Sequence, residues 1–291
     1  MQGDHSPCTA IITMKIQFLG TAAAEGVPSV FCECENCKLI KSLGESEYRT
    51  RAQVIIDDCL SIDYPPDAYY HSLKFGVDFS KLKYILATHS HLDHFYAHDF
   101  VLRGYKYAKF AQSCLEIYGN SEVKTVFDEC TARELREDVK PNLKISVVEP
   151  YTELKIGEYR VITLPANHSK KEQALLFYVE RDGKGYLHFY DTAQVDDEVF
   201  AFLKNANASV DLVCFDCTFL EKYGGVTARH MGIPDNVIML QRLNDFGIAN
   251  DKMRVIISHF SHNSCPTSAK LNGIEQEFKV TAAYDGLIEE I

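Results

Sequence analysis

The chain has 291 residues, of which 46% are hydrophobic and 24% are charged, enough for one large domain or two small ones with a substantial core. Lys and Arg number 30 against 41 Asp and Glu, which gives a formal charge of −11. This balance argues against extensive nucleic-acid binding, because neutralisation of phosphates dominates that affinity. A small anionic substrate remains compatible with it, since bound metal ions can reverse the local field.

The ten cysteines are expected to be free or metal-bound thiols. No stretch is apolar and long enough to span a bilayer, and the N-terminus lacks a basic region followed by an apolar signal core. Without a secretion signal, the expected compartment is the reducing cytoplasm, with no membrane attachment. We interpret residues 1–13 as an N-terminal extension and residues 14–291 as the main domain.

A cysteine cluster follows the first predicted strand, Lys15–Leu19. Cys32, Cys34 and Cys37 have C-x-C-x-x-C spacing and polar neighbours, whereas buried structural cysteines usually occur singly on apolar strands. Thiolates grouped this closely typically hold a structural zinc, which needs a fourth ligand from elsewhere. Redox chemistry and coincidence are the alternatives.

The richest cluster of potential ligands is the segment 88–94, THSHLDH. It directly follows the predicted strand Leu82–Ala87, so the ligands would emerge at a strand end. His89 and His91 can face the same side, while Asp93 and His94 can turn toward a neighbouring centre. Imidazoles with a carboxylate suit zinc, iron or manganese, and hydrolysis by an activated water is their usual use. The alternative is a histidine-rich surface loop.

Two earlier strands, Gln53–Asp57 and Cys59–Asp63, are predicted from apolar runs. Asp63 either orients a metal-bound histidine or is a plain turn aspartate. After His94, the other elements predicted from the pattern of apolar residues are, in chain order, the helix Phe95–Tyr107, the strand Leu115–Tyr118, the helix Ser121–Val139, the strands Leu143–Val148, Tyr159–Leu164, Ala174–Glu180, Tyr186–Tyr190 and Val210–Phe215, the helix Pro234–Phe246, and the strands Arg254–Ile257 and Val280–Tyr284.

Several of these strands end in further candidate ligands. His168 follows Tyr159–Leu164 among small and polar residues, and Asp191 ends the strand Tyr186–Tyr190. A carboxylate that emerges from an apolar strand costs free energy unless it is paired or metal-bound, which favours Asp191 as a ligand over a turn cap. His259 and His262 lie three apart at another strand exit. His230 precedes a helix start, where it could meet an anionic group.

The element order, with strands and helices alternating in two halves, predicts an α+β fold in which two sheets pack together with helices outside. His188 is interpreted as structural, His98 as a solvated or orienting histidine, and Cys214 and Cys217 as packing residues.

These residues resemble the metallo-β-lactamase superfamily. Residues 89–94 match its H-x-H-x-D-H signature, and His168, Asp191 and His259 follow at plausible distances. Within that superfamily the chain is most similar to the family of the phosphodiesterase associated with carbon–phosphorus lyase. The start MKIQFLGTAAAEGVP, the cysteine cluster and the His259/His262 pair are the features of this narrower match.

The resemblance implies a four-layer αββα sandwich with a dinuclear site at one edge of the sheets. His89, His91 and His168 would hold one metal, Asp93, His94 and His259 the other, and Asp191 would bridge them. His262 would complete the cysteine zinc site. His230 would face the substrate phosphate, and Asp93 joins it among the catalytic residues as a metal ligand rather than a free general base.

The expected function is hydrolysis of a small linear or cyclic phosphodiester by hydroxide activated between two divalent metals, with manganese, zinc or iron compatible with the ligands. Another hydrolase of the superfamily, acting on a thioester, lactone or amide, is an alternative. So is a non-hydrolytic cofactor-biosynthesis protein of the same fold, although all seven active-site ligand positions are intact here. A tRNA-processing nuclease fits the acidic balance poorly. A homodimer is the expected assembly, if any.

Overall fold

A computed structural model describes residues 13–104, 106–109 and 114–291. Its strands, numbered in chain order, are β1 (Lys15–Gly20), β2 (Gln53–Ile56), β3 (Leu60–Ile62), β4 (Tyr84–Leu86), β5 (Leu115–Gly119), β6 (Leu143–Val147), β7 (Glu153–Ile156), β8 (Tyr159–Pro165), β9 (Leu175–Arg181), β10 (Lys184–Phe189), β11 (Val210–Asp216), β12 (Ala249–Ser258), β13 (Thr281–Ala282) and β14 (Leu287–Glu290). The α-helices are α1 (Glu35–Leu43), α2 (Ala68–Phe75), α3 (Ser121–Thr131), α4 (Asp197–Asn205), α5 (Ile233–Asp245) and α6 (Ser268–Phe278).

The strands form two seven-stranded sheets that pack face to face. The first sheet has the order β14-β1-β2-β3-β4-β5-β6, and the second has the order β13-β12-β11-β10-β9-β8-β7. Tyr186 and Leu187 illustrate why the strands are apolar on both faces: Tyr186 belongs to the core between the sheets, whereas Leu187 belongs to the core under the outer helices. Successive side chains of a strand point to opposite faces, so a central strand in such a fold is mainly apolar on both faces.

Helices cover the outer face of each sheet. Val199 of α4 and Met239 of α5 pack in the outer core of the second sheet, and Val123 and Phe127 of α3 pack in that of the first. The predicted αββα layering is therefore confirmed.

The topology gathers several strand ends at one edge. Strands β10, β11 and β12 are parallel neighbours, and β8 has the same direction because it is separated from β10 by one antiparallel strand, β9. The carboxyl ends of these strands therefore lie at the same edge of the second sheet, which is where ligand sites form in sheets of this kind. The segment after β4 reaches this edge from the first sheet.

Two predicted helices are wrong in extent. Within Phe95–Tyr107, where residue 105 lies outside the described part, only a short 3₁₀ helix forms, Ala97–Leu102. The predicted helix does not start at Phe95 because the backbone of Tyr64 pairs with both His94 and Tyr96, which makes Phe95 a bridge partner of Tyr64. The predicted helix Ser121–Val139 ends at Thr131, where the amides of residues 134 and 135 both donate to the Thr131 carbonyl.

The predicted strands all form, with ends that shift by a few residues, and Pro234–Phe246 corresponds to α5. The elements that the sequence pattern did not predict are α1, α2, α4, α6, β7 and β14. Of the predicted N-terminal extension, residues 1–12 lie outside the described residues. In the described part of the chain, no helix combines the length and apolar character that a membrane crossing requires.

Candidate active site

The loop after β4 places the first four candidate ligands. Asp63, at the end of β3, accepts hydrogen bonds from the Thr88 amide at 2.8 Å and the Thr88 hydroxyl at 2.9 Å. Next in the loop, the amides of His94 and Phe95 both donate to the His91 carbonyl, forming a tight turn. Asp63 also lies 2.6 Å from Nδ1 of His94. Of the two interpretations of Asp63, the structure thus favours the one in which it orients a histidine of the site.

His89, His91 and His168 form the first cluster, in which one ring nitrogen of each lies within 4.8 Å of the others. Nε2 of His89 is 2.8 Å from Nδ1 of His91, and Nε2 of His168 is 3.4 Å from the same atom. The side chain of His168, which lies just beyond the end of β8, is only 6% exposed. The first predicted set of three metal ligands is therefore assembled in space.

Asp93, His94, Asp191 and His259 form a second, fully buried cluster. Nε2 of His94 lies 3.0 Å from Asp93 Oδ2 and 2.9 Å from Asp191 Oδ2, and Nε2 of His259 lies 3.0 Å from Asp191 Oδ1. Asp191 also approaches the first cluster, at 3.3 Å from Nε2 of His89. It therefore occupies the position between the two clusters that a bridging ligand needs.

The buried polar atoms of these clusters fit divalent metal ions. Although His94 Nε2 and His259 Nε2 lie 2.9 and 3.0 Å from oxygens of Asp191, these contacts lack hydrogen-bond geometry. Among the described residues, His94 Nε2, His259 Nε2 and Asp191 Oδ1 are buried without a hydrogen-bond partner, and burying such atoms unpaired is costly. Imidazole nitrogens and carboxylate oxygens are the usual ligands of zinc and manganese. Metal coordination would satisfy all three atoms.

The electrostatic environment of the clusters also favours the binding of metal cations. Burial opposes protonation of His94, yet the surrounding carboxylates, Asp93 first and then Asp191 and Asp63, raise its pKa well above the usual value. Burial lowers the pKa of His89 well below its usual value, which keeps the imidazole neutral, as coordination requires. A site that holds a proton against burial has a negative potential that equally favours a metal cation.

The cysteine cluster forms a third group of potential metal ligands, next to the segment that contains His259. Sulfur atoms of Cys32, Cys34 and Cys37 and a ring nitrogen of His262 lie within 4.8 Å of one another. Nδ1 of His262 is 3.3 Å from Cys37 Sγ and 3.7 Å from Cys34 Sγ. The Cys37 amide, at the start of α1, donates to Cys34 and is the largest cause of the lowering of the Cys34 pKa to about 6. The group has the residue types of a structural Cys₃His zinc site.

His230 lies at the wall of the second cluster. Its Nδ1 is 2.8 Å from Asp216 Oδ2 and 3.3 Å from Asp191 Oδ1. Burial would lower the pKa of His230, but the Asp216 carboxylate outweighs this and raises it to about 9. The Asp216 carboxylate therefore favours the protonated imidazole of His230, with Nδ1 facing Asp216 and Nε2 left as the second ring nitrogen.

Several residues that support the site were not predicted from the sequence. Asp216 at the exit of β11 has the same signal as Asp191, a carboxylate after an apolar strand, but we read that strand only as packing. The Thr218 hydroxyl donates to the His259 carbonyl at 2.8 Å. Glu172, which accepts hydrogen bonds from Ser90 and Asn120, has no signal in the sequence, because its partners are distant along the chain.

The remaining interpretations agree with the structure. Cys214 and Cys217 are fully buried, as packing residues would be, and the buried His188 contacts the Tyr186 hydroxyl at 2.8 Å. His98 is exposed and belongs to none of the clusters formed by the described residues.

The two-sheet sandwich, with histidines and aspartates gathered at one edge, is the arrangement of a metal-dependent hydrolase. A model of the β-lactamase superfamily domain matches residues 58–260 of the sequence, and the chain belongs to this superfamily. It is a metal-dependent hydrolase of the metallo-β-lactamase type. Among curated proteins, none matches the sequence significantly.

Solved structures with the same fold cover nearly the whole chain. A diphosphatase from the PhnP family is 20% identical, with 96% of this chain and 98% of that chain covered and a TM-score of 0.70. Zn²⁺-bound PqqB from Methylobacterium extorquens is 17% identical, with 95% and 100% covered and a TM-score of 0.71. The short form of human tRNase Z is 16% identical, with 94% and 98% covered and a TM-score of 0.64.

Proposed function

We propose that the protein hydrolyses a small phosphodiester, linear or cyclic, with two divalent metal ions at the paired clusters and a structural zinc at the cysteine cluster. His89, His91 and His168 would hold one ion, Asp93, His94 and His259 the other, and Asp191 both. Zinc, manganese and iron are all compatible with these ligands. When bound, the metals supply Lewis-acid stabilisation of the phosphoryl oxygens and a nucleophilic water at neutral pH.

The observation that most favours a phosphodiester is the position of His230 in the cavity wall, beside Asp216. Its imidazole is held beside the clusters by the buried carboxylate of Asp216 at 2.8 Å, which favours the protonated ring. When the oxygen of water bonds to phosphorus and the bond from phosphorus to the leaving oxygen breaks, the alkoxide that departs needs a proton. His230 Nε2 can donate it, while Asp216 fixes the ring and its tautomer.

The chain's own residues also account for binding of an anion. The cavity over the clusters has a volume of about 580 Å³ and is of the size that small-molecule sites have. A protonated His230 in its wall would attract a negative phosphoryl group toward the metal ions proposed at the two clusters. A neutral thioester or lactone would gain less from this charge.

A substrate screen on one metal-analysed sample tests the proposal. Linear and cyclic phosphodiesters would be assayed against thioesters and lactones after loading with manganese, zinc or iron. We expect hydrolysis of phosphodiesters and about a 10²- to 10⁴-fold loss of kcat for His230→Ala, the typical contribution of a general acid, with unchanged metal content. Full metal content with activity only on thioesters or lactones would overturn the proposal.

A further inference from the structure

Arg49 is a buried cation that the proposed chemistry leaves without a role. It lies before β2, where its backbone pairs with that of Val27, and it is only 8% exposed. In the described part of the chain, its Nε atom has no hydrogen-bond partner. Taking a guanidinium out of water costs free energy unless its other contacts compensate, so those contacts indicate what the residue does.

The guanidinium is held by two segments that are distant from it in the sequence. Its Nη1 donates to the Thr21 hydroxyl at 2.9 Å and to the Ala283 carbonyl at 2.5 Å. The Thr21 hydroxyl donates in turn to the Asp285 carboxylate at 2.7 Å. This carboxylate also accepts hydrogen bonds from the Thr50 amide at 2.7 Å and the Thr50 hydroxyl at 2.6 Å. Hydrogen bonds to ionised groups are the stronger ones, so the network fixes the position of the guanidinium.

The same guanidinium lies against the ring of Phe260. Its Cζ is 4.8 Å from the ring centroid, and Phe260 is fully buried, the setting in which a cation–π contact is strongest. The backbone of Phe260 is tied to the same place, because its amide donates to the Thr21 carbonyl at 2.9 Å and its carbonyl accepts from the Ala23 amide at 3.0 Å. Arg49 therefore holds Phe260 directly through the ring and indirectly through Thr21.

Phe260 directly follows His259, the candidate ligand whose Nε2 is 3.0 Å from Asp191. His259 has a φ of 63°, a conformation that costs free energy and persists only when surrounding contacts enforce it. The Thr218 hydroxyl donates to the His259 carbonyl at 2.8 Å, but the backbone beyond His259 depends on the contacts of Phe260. Release of Phe260 would let the strained backbone relax and carry the imidazole away from the second cluster.

We infer that Arg49 is a positioning residue for His259, which it holds in place for the second metal cluster through Phe260. The inference rests on the metal assignment within the proposed function. The competing explanation is that Arg49 only joins loops and stabilises the fold. The two explanations differ in selectivity, because positioning predicts weaker metal binding at the second cluster, while the first cluster and the cysteine cluster keep their ions.

Cobalt binding tests this selectivity. The metal-free full chain would be titrated with Co²⁺, whose absorption spectrum depends on the ligands of each site and whose thiolate charge-transfer band identifies the cysteine cluster. His259→Ala and His89→Ala supply reference spectra for loss of a ligand at the second and at the first cluster. We expect Arg49→Met to bind Co²⁺ at the second cluster about 10- to 100-fold more weakly, the usual effect of removing a residue that orients a metal ligand. At limiting Co²⁺ its spectrum should match that of His259→Ala.

Arg160→Met is the matched control for a general loss of stability. Arg160 donates to the Glu153 carboxylate at 2.9 and 2.8 Å and to Glu180 at 3.1 Å, and it lies at the amino end of β8, away from the clusters. Urea unfolding of the metal-free variants would measure how much stability each substitution removes. If Arg49→Met and Arg160→Met weakened Co²⁺ binding equally, or if Arg49→Met left the second cluster unchanged, the inference would be overturned.

A double-mutant cycle tests the route through Phe260. Phe260→Leu removes the ring but keeps an apolar side chain, and it should weaken the same cluster. The loss in Arg49→Met/Phe260→Leu should be smaller than the product of the two single losses, whereas losses that multiply would contradict a shared route.

A milder variant decides the inference if Arg49→Met does not fold. Thr21→Val removes the hydroxyl that accepts the hydrogen bond from Arg49. A loss of about three- to tenfold in Co²⁺ affinity, the size expected for one hydrogen bond, would support the inference if it is confined to the second cluster. An absent or unselective loss would contradict it.

Failure of the proposed function has a different outcome. A protein that cleaves only thioesters or lactones would refute the phosphodiesterase proposal and leave this test unaffected, because the test measures metal binding and uses no substrate. An unmodified protein that binds no Co²⁺ at the second cluster would overturn the inference, whatever its substrate.

Discussion

Replacing Glu172 tests whether the conformation of the histidine loop, residues 88–94, depends on a single carboxylate. Glu172 accepts hydrogen bonds from the Ser90 amide at 3.0 Å, the Ser90 hydroxyl at 2.7 Å and Asn120 Nδ2 at 2.8 Å. Ser90 is the residue between His89 and His91. The same carboxylate therefore joins the histidine loop to the segment that follows His168.

The expected effect can be estimated from these three contacts. A hydrogen bond to a charged group contributes about 1.5–3 kcal/mol when buried, but Glu172 is only half-buried and water can replace part of each bond. We expect Glu172→Ala to lower the free energy of unfolding by about 1–3 kcal/mol in total. It should weaken metal binding by about 10- to 100-fold, as loss of a residue that orients metal ligands usually does. Glu172→Gln, which keeps the shape and one acceptor oxygen, should fall between.

The assay is competition for zinc or manganese with a chromogenic chelator, with urea unfolding of the metal-free protein measured in parallel. Glu158→Ala is the matched control, because its side chain is exposed and lies beside β8, away from the clusters. If folded Glu172→Ala held both metals as tightly as the unmodified protein, the idea that this carboxylate preorganises the histidines would be refuted.

The other predictions concern metal content, packing and pH. The purified protein should hold about three metal ions per chain, one of them resistant to mild chelation. His262→Ala should remove that resistant ion. An unchanged zinc content in this variant would disprove the role of His262 as a ligand. Gly232→Ala should lower the free energy of unfolding in urea by about 1–3 kcal/mol, because the added Cβ would clash with the Lys222 carbonyl. The control Gly273→Ala in α6, which has open space around it, should raise this free energy by about 0.5–1 kcal/mol. Equal effects of the two substitutions would contradict the close packing at Gly232. Burial lowers the pKa of His71 to about 3, whereas the pKa in the unfolded chain is about 6.5. As the pH falls, the unfolded state therefore binds the proton first. The free energy of unfolding should fall by about 1.4 kcal/mol per pH unit below pH 6.5. Urea unfolding at pH 7, 6 and 5 should show a shallower fall for His71→Gln, and identical slopes would exclude this origin.

The strands and the candidate ligands were predictable because both depend on local sequence. An apolar run followed by a polar residue marks a strand exit, and the carboxyl ends of parallel strands meet at one edge of a sheet. His89, His168, Asp191 and His259 each have this signal, so their spatial proximity follows from the topology. The resemblance to a known superfamily supplied the grouping of the ligands, which local patterns leave open.

The features that were missed depend on contacts between distant parts of the chain. The segment after His94 has a helical pattern, but pairing of its backbone with Tyr64 overrides that preference. Strand β14 forms because it pairs with β1 at the other end of the chain, which no local pattern indicates. Glu172 and Asp235 support the site through hydrogen bonds to segments far from them in sequence or to turn amides, and a carboxylate with such partners looks like any surface residue.

The segment 259–262 links the cysteine cluster to the active-site clusters, because it contains both His262 and His259. His259 has a positive φ of 63°, a conformation that a residue with a side chain adopts at a cost, so neighbouring contacts must hold it. Backbone hydrogen bonds join Phe260 to Thr21 and Ala23 on one side.

On the other side, the predicted zinc ligand His262 is fixed to the cysteine cluster, and Asn36 at the start of α1 donates to its carbonyl at 3.1 Å. A zinc ion at this cluster would anchor one end of the four-residue segment 259–262, whose other end supplies the candidate active-site ligand His259. With zinc bound, the cysteine cluster would help to position His259 as well as stabilise the fold, because a strained ligand keeps its geometry only while both ends of its segment are held.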